Sequence, residues 1–543
     1  MFLVDAINEG AGADLWNSRI ASFINEFTNY PFIGLVLTIR TTYLDFVIPE
    51  NVRKDAKITF KTHEGFKGNE YAALKLFCEF HGLKQPNFPI LAPEFTKPLF
   101  LQLICDTIKD TPEKTFPQGF QGVSSIFQIY IDSINRKFQN KRDEYKYCNV
   151  VLDAIHKVAF ANYNNENNSL LLKDVRQLLK TEFPDHKLLL NDLIEESIFI
   201  TNPQTNYKTN QQEEVIYFAY QRFGDFYIAE ELLKNFNNSD NVINSFKKEN
   251  KFGKLISDRN GYWYNEGILE AFSILLPEKF KLEIFEVYNW YFENDEIDKF
   301  HKSHIIGVLN SFLLDSLNWR KIESIDNEKL VNWFRGEYFR VSEDDYFYKL
   351  IELSTIKGHP FNSDRLFRIL KSYKMPVRDS FWQQHLRYFS SYDDNENGYP
   401  IRRLIDWAWT PDISNKLDFE TTRLTAQTLT WVLSSTNIKL RDQTTKAMVN
   451  LLEQQPDALI SILKSFKNID DLYVSERLYA IAYGCVLRTG NVDSINKIAL
   501  VIYNYIFKKG IPPNHILLRD YARNTIEYAL YKNPKLKIDI SLI

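Results

Sequence analysis

Two carboxylates and a guanidinium near the start of this 543-residue chain have the types and spacing of a phosphoryl-transfer site. Asp5 ends the apolar run Met1-Phe2-Leu3-Val4, and Glu9 follows four residues later, just before Gly10. A carboxylate at the end of a strand can order the water shell of a Mg²⁺ ion, and a second acid close by can polarise the water that attacks a γ-phosphate. Arg40 ends another apolar run, Phe32-Ile33-Gly34-Leu35-Val36-Leu37-Thr38-Ile39, where a guanidinium would register γ-phosphate charge. An apolar run ending in Asp is common in parallel sheets, so the reading rests on the three groups together.

To act together they must reach one end of neighbouring parallel strands. The amphipathic stretch Leu15 to Tyr30 has the length of the helix in a right-handed βαβ unit, and Lys57-Ile58-Thr59-Phe60 is expected as a further strand. The acidic pair has the form of a Walker B motif. The loop that cradles phosphates, G-x-x-x-x-G-K-[ST], occurs nowhere in the sequence, and Gly65-Phe66-Lys67-Gly68 lacks its spacing and its preceding strand. The expectation is a switch core cut before its Walker B strand, with the phosphate cradle upstream of Met1 and an open sheet edge. Without the cradle's N–H groups and lysine, the chain is not expected to hydrolyse ATP alone.

Net charge of −4 and a pI of about 6.2 remove a general electrostatic case for nucleic acid or membrane binding. Cys78, Cys105, Cys148 and Cys485 are scattered without a C-x-x-C pair, which favours reduced thiols over a zinc site. No basic, apolar leader opens the chain and no apolar run approaches the ~20 residues that cross a bilayer. A cytoplasmic protein is expected.

The fold class expected is mainly α with a small α/β part, in five segments. Residues 1–62 carry the partial parallel sheet of the NTPase core. Residues 63–145 form a helical lid, in which Pro93-Glu94-Phe95-Thr96-Lys97-Pro98 starts a helix. Residues 146–236 look like a winged helix: helical stretches Tyr147 to Phe160, Leu172 to Thr181 and His186 to Glu196 precede strands Ser197 to Thr201 and Glu214 to Phe218, with Asn202 to Gln212 as the loop. Residues 237–410 form a helical linker, and residues 411–543 a HEAT-like α-solenoid. In that last segment Arg441, Arg477 and Arg519 head successive amphipathic helices, 36 and 42 residues apart. Arg-Asp at those positions would form a charge ladder that sets the stacking register of the inner helices.

In order, these segments resemble the STAND class of P-loop NTPases, NACHT-like, and most closely the bacterial antiviral STAND ATPases. The resemblance rests on Leu3-Val4-Asp5-Ala6-Ile7-Asn8-Glu9-Gly10, Leu37-Thr38-Ile39-Arg40, Pro93 to Leu101, and Phe218-Ala219-Tyr220-Gln221-Arg222-Phe223-Gly224-Asp225-Phe226-Tyr227-Ile228-Ala229. It implies that Asp5 orders Mg²⁺ through water, Glu9 polarises the attacking water, Arg40 reads the γ-phosphate and Pro98 touches the base. Tyr220 stands where many NACHT-type members have a histidine. A phenol donates a hydrogen bond but carries no positive charge, and Arg222 is the candidate substitute. ATP or ADP with Mg²⁺ are the implied cofactors of an intact parent, with binding by this chain left open. The implied partners are a protein trigger at the C-terminal repeats, such as a phage protein, and further copies of the active parent.

Two other classes remain open: a nucleotide-independent helical scaffold or remnant, and a winged-helix DNA regulator. The recognition-helix candidate offers only Lys173, Arg176 and Lys180, partly offset by Asp174. Trp407, Trp409 and Trp431 are candidates for anchoring a protein partner, against the alternative that they fill the core.

Overall fold

The computed structural model describes the chain except residues 9–11, 64, 67, 110, 117–122, 166–169, 207–210, 258–264, 295–296, 340, 390–398 and 411–414. The fold is mainly helical with a small sheet part, and the chain divides into two compact units. The first comprises Met1–Gly65 and Ile134–Lys234, the second Phe66–Ser133 and Asn235–Ile543. Residues 63–145, read above as one lid, are thus shared between the two.

In the first unit, β1 (Phe2–Val4) pairs in parallel with β2 (Leu35–Leu37), Phe2 opposite Leu35 and Val4 opposite Leu37. Helix α1 (Gly12–Phe27) connects them. Its Ile20 is buried against Ile7, Val47, Ile48 and Val52, with Trp16 and Ile24 packed around that cluster. The expected strand Lys57 to Phe60 is not formed. Asp55 takes the Lys57 N–H on its side chain at 2.9 Å and the Ile58 N–H on its carbonyl at 3.0 Å, so the backbone turns there. Ile58 packs on the same cluster through its side chain alone.

Helices α2 (Glu70–His81) and α3 (Pro98–Ile108) follow in the chain and pack together in the second unit. Pro98 takes the first position of α3, where its missing N–H costs nothing.

The chain then returns to the first unit with α4 (Val150–Tyr163), β3 (Leu170–Leu171), α5 (Leu172–Glu182), α6 (Leu189–Glu195), β4 (Phe199–Asn206), β5 (Gln211–Phe218) and α7 (Gln221–Leu233). The antiparallel sheet has the order β3-β5-β4, with Phe199 opposite Phe218 and Asn206 opposite Gln211. The stretch Asn202 to Gln212, expected as a loop, is therefore mostly paired strand. Polar side chains leave no alternation to read, and cross-strand backbone pairing holds the hairpin instead. Helix α7 lies close on the end of β5: a Cβ added at Gly224 would fall 2.4 Å from the Phe218 ring, so only glycine fits. Asp192 of α6 is buried, and it accepts hydrogen bonds from Lys141 (2.8 Å), Arg142 (3.0 Å) and Tyr145 (2.8 Å).

In the second unit, helices stack in alternation through the C-terminal part: α8 (Met375–Phe389), α9 (Pro400–Ala408), α10 (Phe419–Val432), α11 (Ile438–Leu452), α12 (Pro456–Ser465), α13 (Leu472–Arg488), α14 (Val492–Ile506) and α15 (Ile516–Lys532). α9, α11, α13 and α15 pack side by side in one row, and α10, α12 and α14 in another. Polar rungs join the first row. Arg402 donates to Gln443 at 2.9 Å, Arg477 to Asp442 at 2.7 Å, and His515 lies 3.6 Å from Glu476. The Arg441 guanidinium stacks over Tyr473 at 4.2 Å. Arg488 pairs with Glu453 at the opposite ends of α13 and α11, so these two helices run parallel. The expected ladder is present between Asp442 and Arg477. At the next step His515, which caps α15, stands where Arg519 was expected. Gly484 permits the close approach, since a Cβ there would lie 2.8 Å from a Val449 methyl. Trp407 and Trp431 are core residues, whereas Trp409 is exposed. The anchoring reading is corrected for the first two: Trp431 fills the space between Phe367, Phe466 and the Arg378 guanidinium.

Candidate functional site

The parallel pairing of β1 and β2 brings Asp5 and Arg40 to the same end of the sheet, because both residues lie just past the paired segments. Backbone bonds extend the register beyond the strands: Thr38 N–H donates to the Val4 carbonyl (3.0 Å) and Ile7 N–H to the Thr38 carbonyl (3.0 Å). Asp5 is exposed, and its Oδ1 accepts the Thr38 hydroxyl. The same Thr38 oxygen accepts the Ala6 N–H at 2.8 Å. Arg40 is partly buried, and its N–H donates to Oδ1 of the buried Asn8 at 3.0 Å. Thr38 and Asn8 thus lock the two strand ends together and set the backbone from which Asp5 and Arg40 project. Sequence reading passed over both. The signal was present in Asn8, which lies between the two acids, and in Thr38, two residues before Arg40.

Glu9 lies outside the described residues. Tyr220 and Arg222 belong to the same unit, at the start of α7, where Tyr220 is the residue preceding the first turn. The turn after β2 is tied to β4 by the Tyr43 hydroxyl, which donates to the Thr201 carbonyl at 2.8 Å. Pro98 opens α3 in the second unit.

Among the described residues no group of three or more His, Cys, Asp or Glu side chains is placed to hold a metal ion. A single exposed carboxylate fits the way Mg²⁺ is commonly held in nucleotide sites, by one or two carboxylates with waters and substrate phosphates completing the shell. Asp5, oriented by Thr38, is the described residue that would serve. The free cysteines do not form such a site, and burial pushes the Cys78 thiol up to about 11 and Cys105 up to about 12, so both rest as thiols. Among the described residues no helix is long and apolar enough to cross a membrane.

The second unit holds a groove of about 990 Å³ beside the first row of stacked helices. Gln383 and Arg387 of α8 form one wall, and Ser435, Thr436, Asn437, Lys439, Asp442 and Gln443 form the other. Most polar walls are engaged: Gln383 donates to the Ser434 carbonyl (2.7 Å) and accepts from the Thr436 N–H (3.1 Å), Gln443 accepts from Arg402, and Asp442 from Arg477. Arg387 and Lys439 are exposed. Sequence reading did not single out this groove.

Comparison with protein-family models, with curated proteins and with solved structures gives no match.

Proposed function

We propose that the chain is part of an ATP-dependent signalling switch of the STAND class, acting in antiviral defence, whose C-terminal helical array senses a protein trigger. One observation carries the reading: the joint placement of Asp5 and Arg40 at one end of a parallel strand pair, with Thr38 orienting the carboxylate. Bound Mg²⁺ and ATP would supply the phosphoanhydride and the charge on its γ-phosphate. Asp5 would then hold the ion through water, and Arg40 would register the γ-phosphate.

Two further features support it. The order helix, strand, helix, helix, strand, strand, with β3 beside β5, agrees with a winged-helix reading, and Tyr220 and Arg222 follow it directly. The two-row stacking of α9 to α15, with polar rungs along one row, agrees with a HEAT-like solenoid. That array also supports the second reading, a nucleotide-independent helical scaffold, because it needs nothing from the strand-end site.

Reading the transcript upstream of the Met1 codon tests the switch. An in-frame G-x-x-x-x-G-K-[ST] codon series supports it, and stop codons with no such loop favour the remnant or scaffold instead. The chain by itself is expected to release phosphate from ATP no faster than buffer does. Turnover with saturating Mg²⁺ and ATP that vanishes in Glu9→Gln would overturn the dependence on a separate phosphate cradle.

A further inference from the structure

The parallel helices α11 and α13, with α15 stacked on α13, repeat one feature that packing does not explain. Each begins with a bulky aliphatic at its first position directly after the capping residue: Ile438 after Asn437, Leu472 after Asp471, Ile516 after His515. These side chains are 62%, 64% and 75% exposed, and Tyr473 and Leu517 beside them are about half exposed. Neighbouring packed helices stand roughly 8–10 Å apart, so such positions mark a regularly spaced apolar row. One end of the row meets the groove, because Ile438 stands between Asn437 and Lys439, which both line it. There Arg387 and Lys439 present two cations whose neighbouring polar walls are already engaged. The α11 N-terminus adds partial positive charge at the same place.

Resting on the reading of this array as a partner-sensing surface, we propose that this edge binds an acidic, amphipathic segment of a partner protein. Carboxylates of the segment enter the groove at Arg387 and Lys439, and its apolar side chains lie along Ile438, Leu472 and Ile516. Charge complementarity selects this occupant. Two cations in a polar groove whose acid, Asp442, is already paired with Arg477, next in the chain to the exposed Ile438, fit carboxylates on an apolar segment, whereas nucleic acid wants a broad basic field that a chain of net charge −4 does not offer.

The probe is a fluorescein-labelled synthetic peptide of leucine and glutamate in helical amphipathic order, titrated with the full chain without nucleotide and followed by anisotropy. A leucine and lysine peptide of the same order is the control. Saturable binding of the glutamate peptide is expected. Arg387→Ala with Lys439→Ala should weaken it at least about tenfold, and so should Ile438→Ser with Ile516→Ser. Arg387→Glu with Lys439→Glu should transfer preference to the lysine peptide. All these residues are exposed, so unchanged thermal melting is expected and checks folding. No saturable binding, equal binding of both peptides, or indifference to the substitutions would overturn the proposal. So would a dimer in sedimentation that Ile438→Ser with Ile516→Ser dissolves, because a second copy would then be the occupant. Since nucleotide is absent throughout, failure of the ATP-switch reading leaves this result intact, and the reverse also holds.

Discussion

Lowering the pH from 6.5 should destabilise the second unit before carboxylates of ordinary pKa titrate, because two buried histidines there are held neutral. His359 is buried with its Nδ1 accepting the Phe361 N–H at 3.1 Å, so Nε2 carries the proton and donates to the Leu317 carbonyl at 3.1 Å. A second proton on Nδ1 would break the bond to Phe361 and place a buried cation near Arg320. Burial is the main cause that pushes this imidazole from 6.5 down to about 4, with Arg320 adding to it and the Leu317 carbonyl opposing it. The unfolded chain takes up the proton near 6.5 and the folded chain only near 4. The stability contribution is therefore complete above about 6.5 and is lost as pH falls from there to 4. At 1.36 kcal/mol per pKa unit, the loss is about 3 kcal/mol. His385, stacked on Trp382 with centroids 5.3 Å apart, is pushed down to about 3 by burial and adds a loss of similar size that continues further into acid.

Urea unfolding read by tryptophan fluorescence measures this, since among the described residues Trp16 is the only tryptophan outside the second unit. The unfolding free energy should fall between pH 6.5 and 4.5, and His359→Gln should flatten that fall by its share even if the variant is less stable at every pH. Asp364 does not confound the window: the Arg423 guanidinium bonded to it holds it below the usual carboxylate range, so its contribution is lost only in stronger acid. Glu283 and Asp471 are raised by burial and shift stability the other way, so the difference between wild type and variant is the decisive quantity. A wild-type curve that is level from 6.5 to 4.5, or a variant that keeps the full dependence, would refute the reasoning.

Arg320 and Glu283 form a buried pair with bonds of 3.0 and 2.8 Å, so Arg320→Ala should cost about 3–5 kcal/mol in urea unfolding, while the joint change to Met and Leu should recover most of it. Gly484→Ala should destabilise by about 1–3 kcal/mol through its clash with Val449, and Val449→Ala in the same chain should relieve part of this in thermal melts. Trp431→Ala should cost about 3–5 kcal/mol, whereas Trp409→Ala should leave the melting curve within about 0.5 kcal/mol, which separates the core tryptophan from the exposed one.

What the sequence made legible follows from what each kind of signal encodes. The 3.6-residue apolar period located the helices of the array, and the Arg and Asp residues heading them marked a real contact between Asp442 and Arg477, because both depend on local spacing. The strand pair β1 and β2 was visible as two apolar runs, but only three residues of each are paired, since a run cannot say how much of itself finds a partner. Lys57 to Phe60 looked like a strand by composition and became a turn because Asp55 supplies nearer hydrogen bonds. The polar hairpin of β4 and β5 was read too short for the opposite reason: its pairing is carried by the backbone, to which hydropathy is blind. Asn8, Thr38 and the groove were missed because they arise where two distant stretches meet.

The two candidate surfaces differ in how they depend on that meeting. At the strand ends, Asp5 and Arg40 are positioned by Thr38 and Asn8, across a two-stranded sheet whose Phe2, Leu3 and Val36 remain exposed. Two short strands with apolar side chains facing water are marginal by themselves, so the geometry there leans on the cluster of Ile7, Ile20, Val47 and Val52 beneath. Along the array, by contrast, α11 and α13 have packed neighbours on both sides and polar rungs between them, and α15 packs on α13 and α14, so the water-exposed Ile438, Leu472 and Ile516 sit on a well-packed base. A site on a marginal support suits a group that changes state with its ligand, and a site on a rigid one suits recognition of a fixed shape. On the proposed reading the strand ends would serve the switch and the helical edge the sensor, each within its own unit.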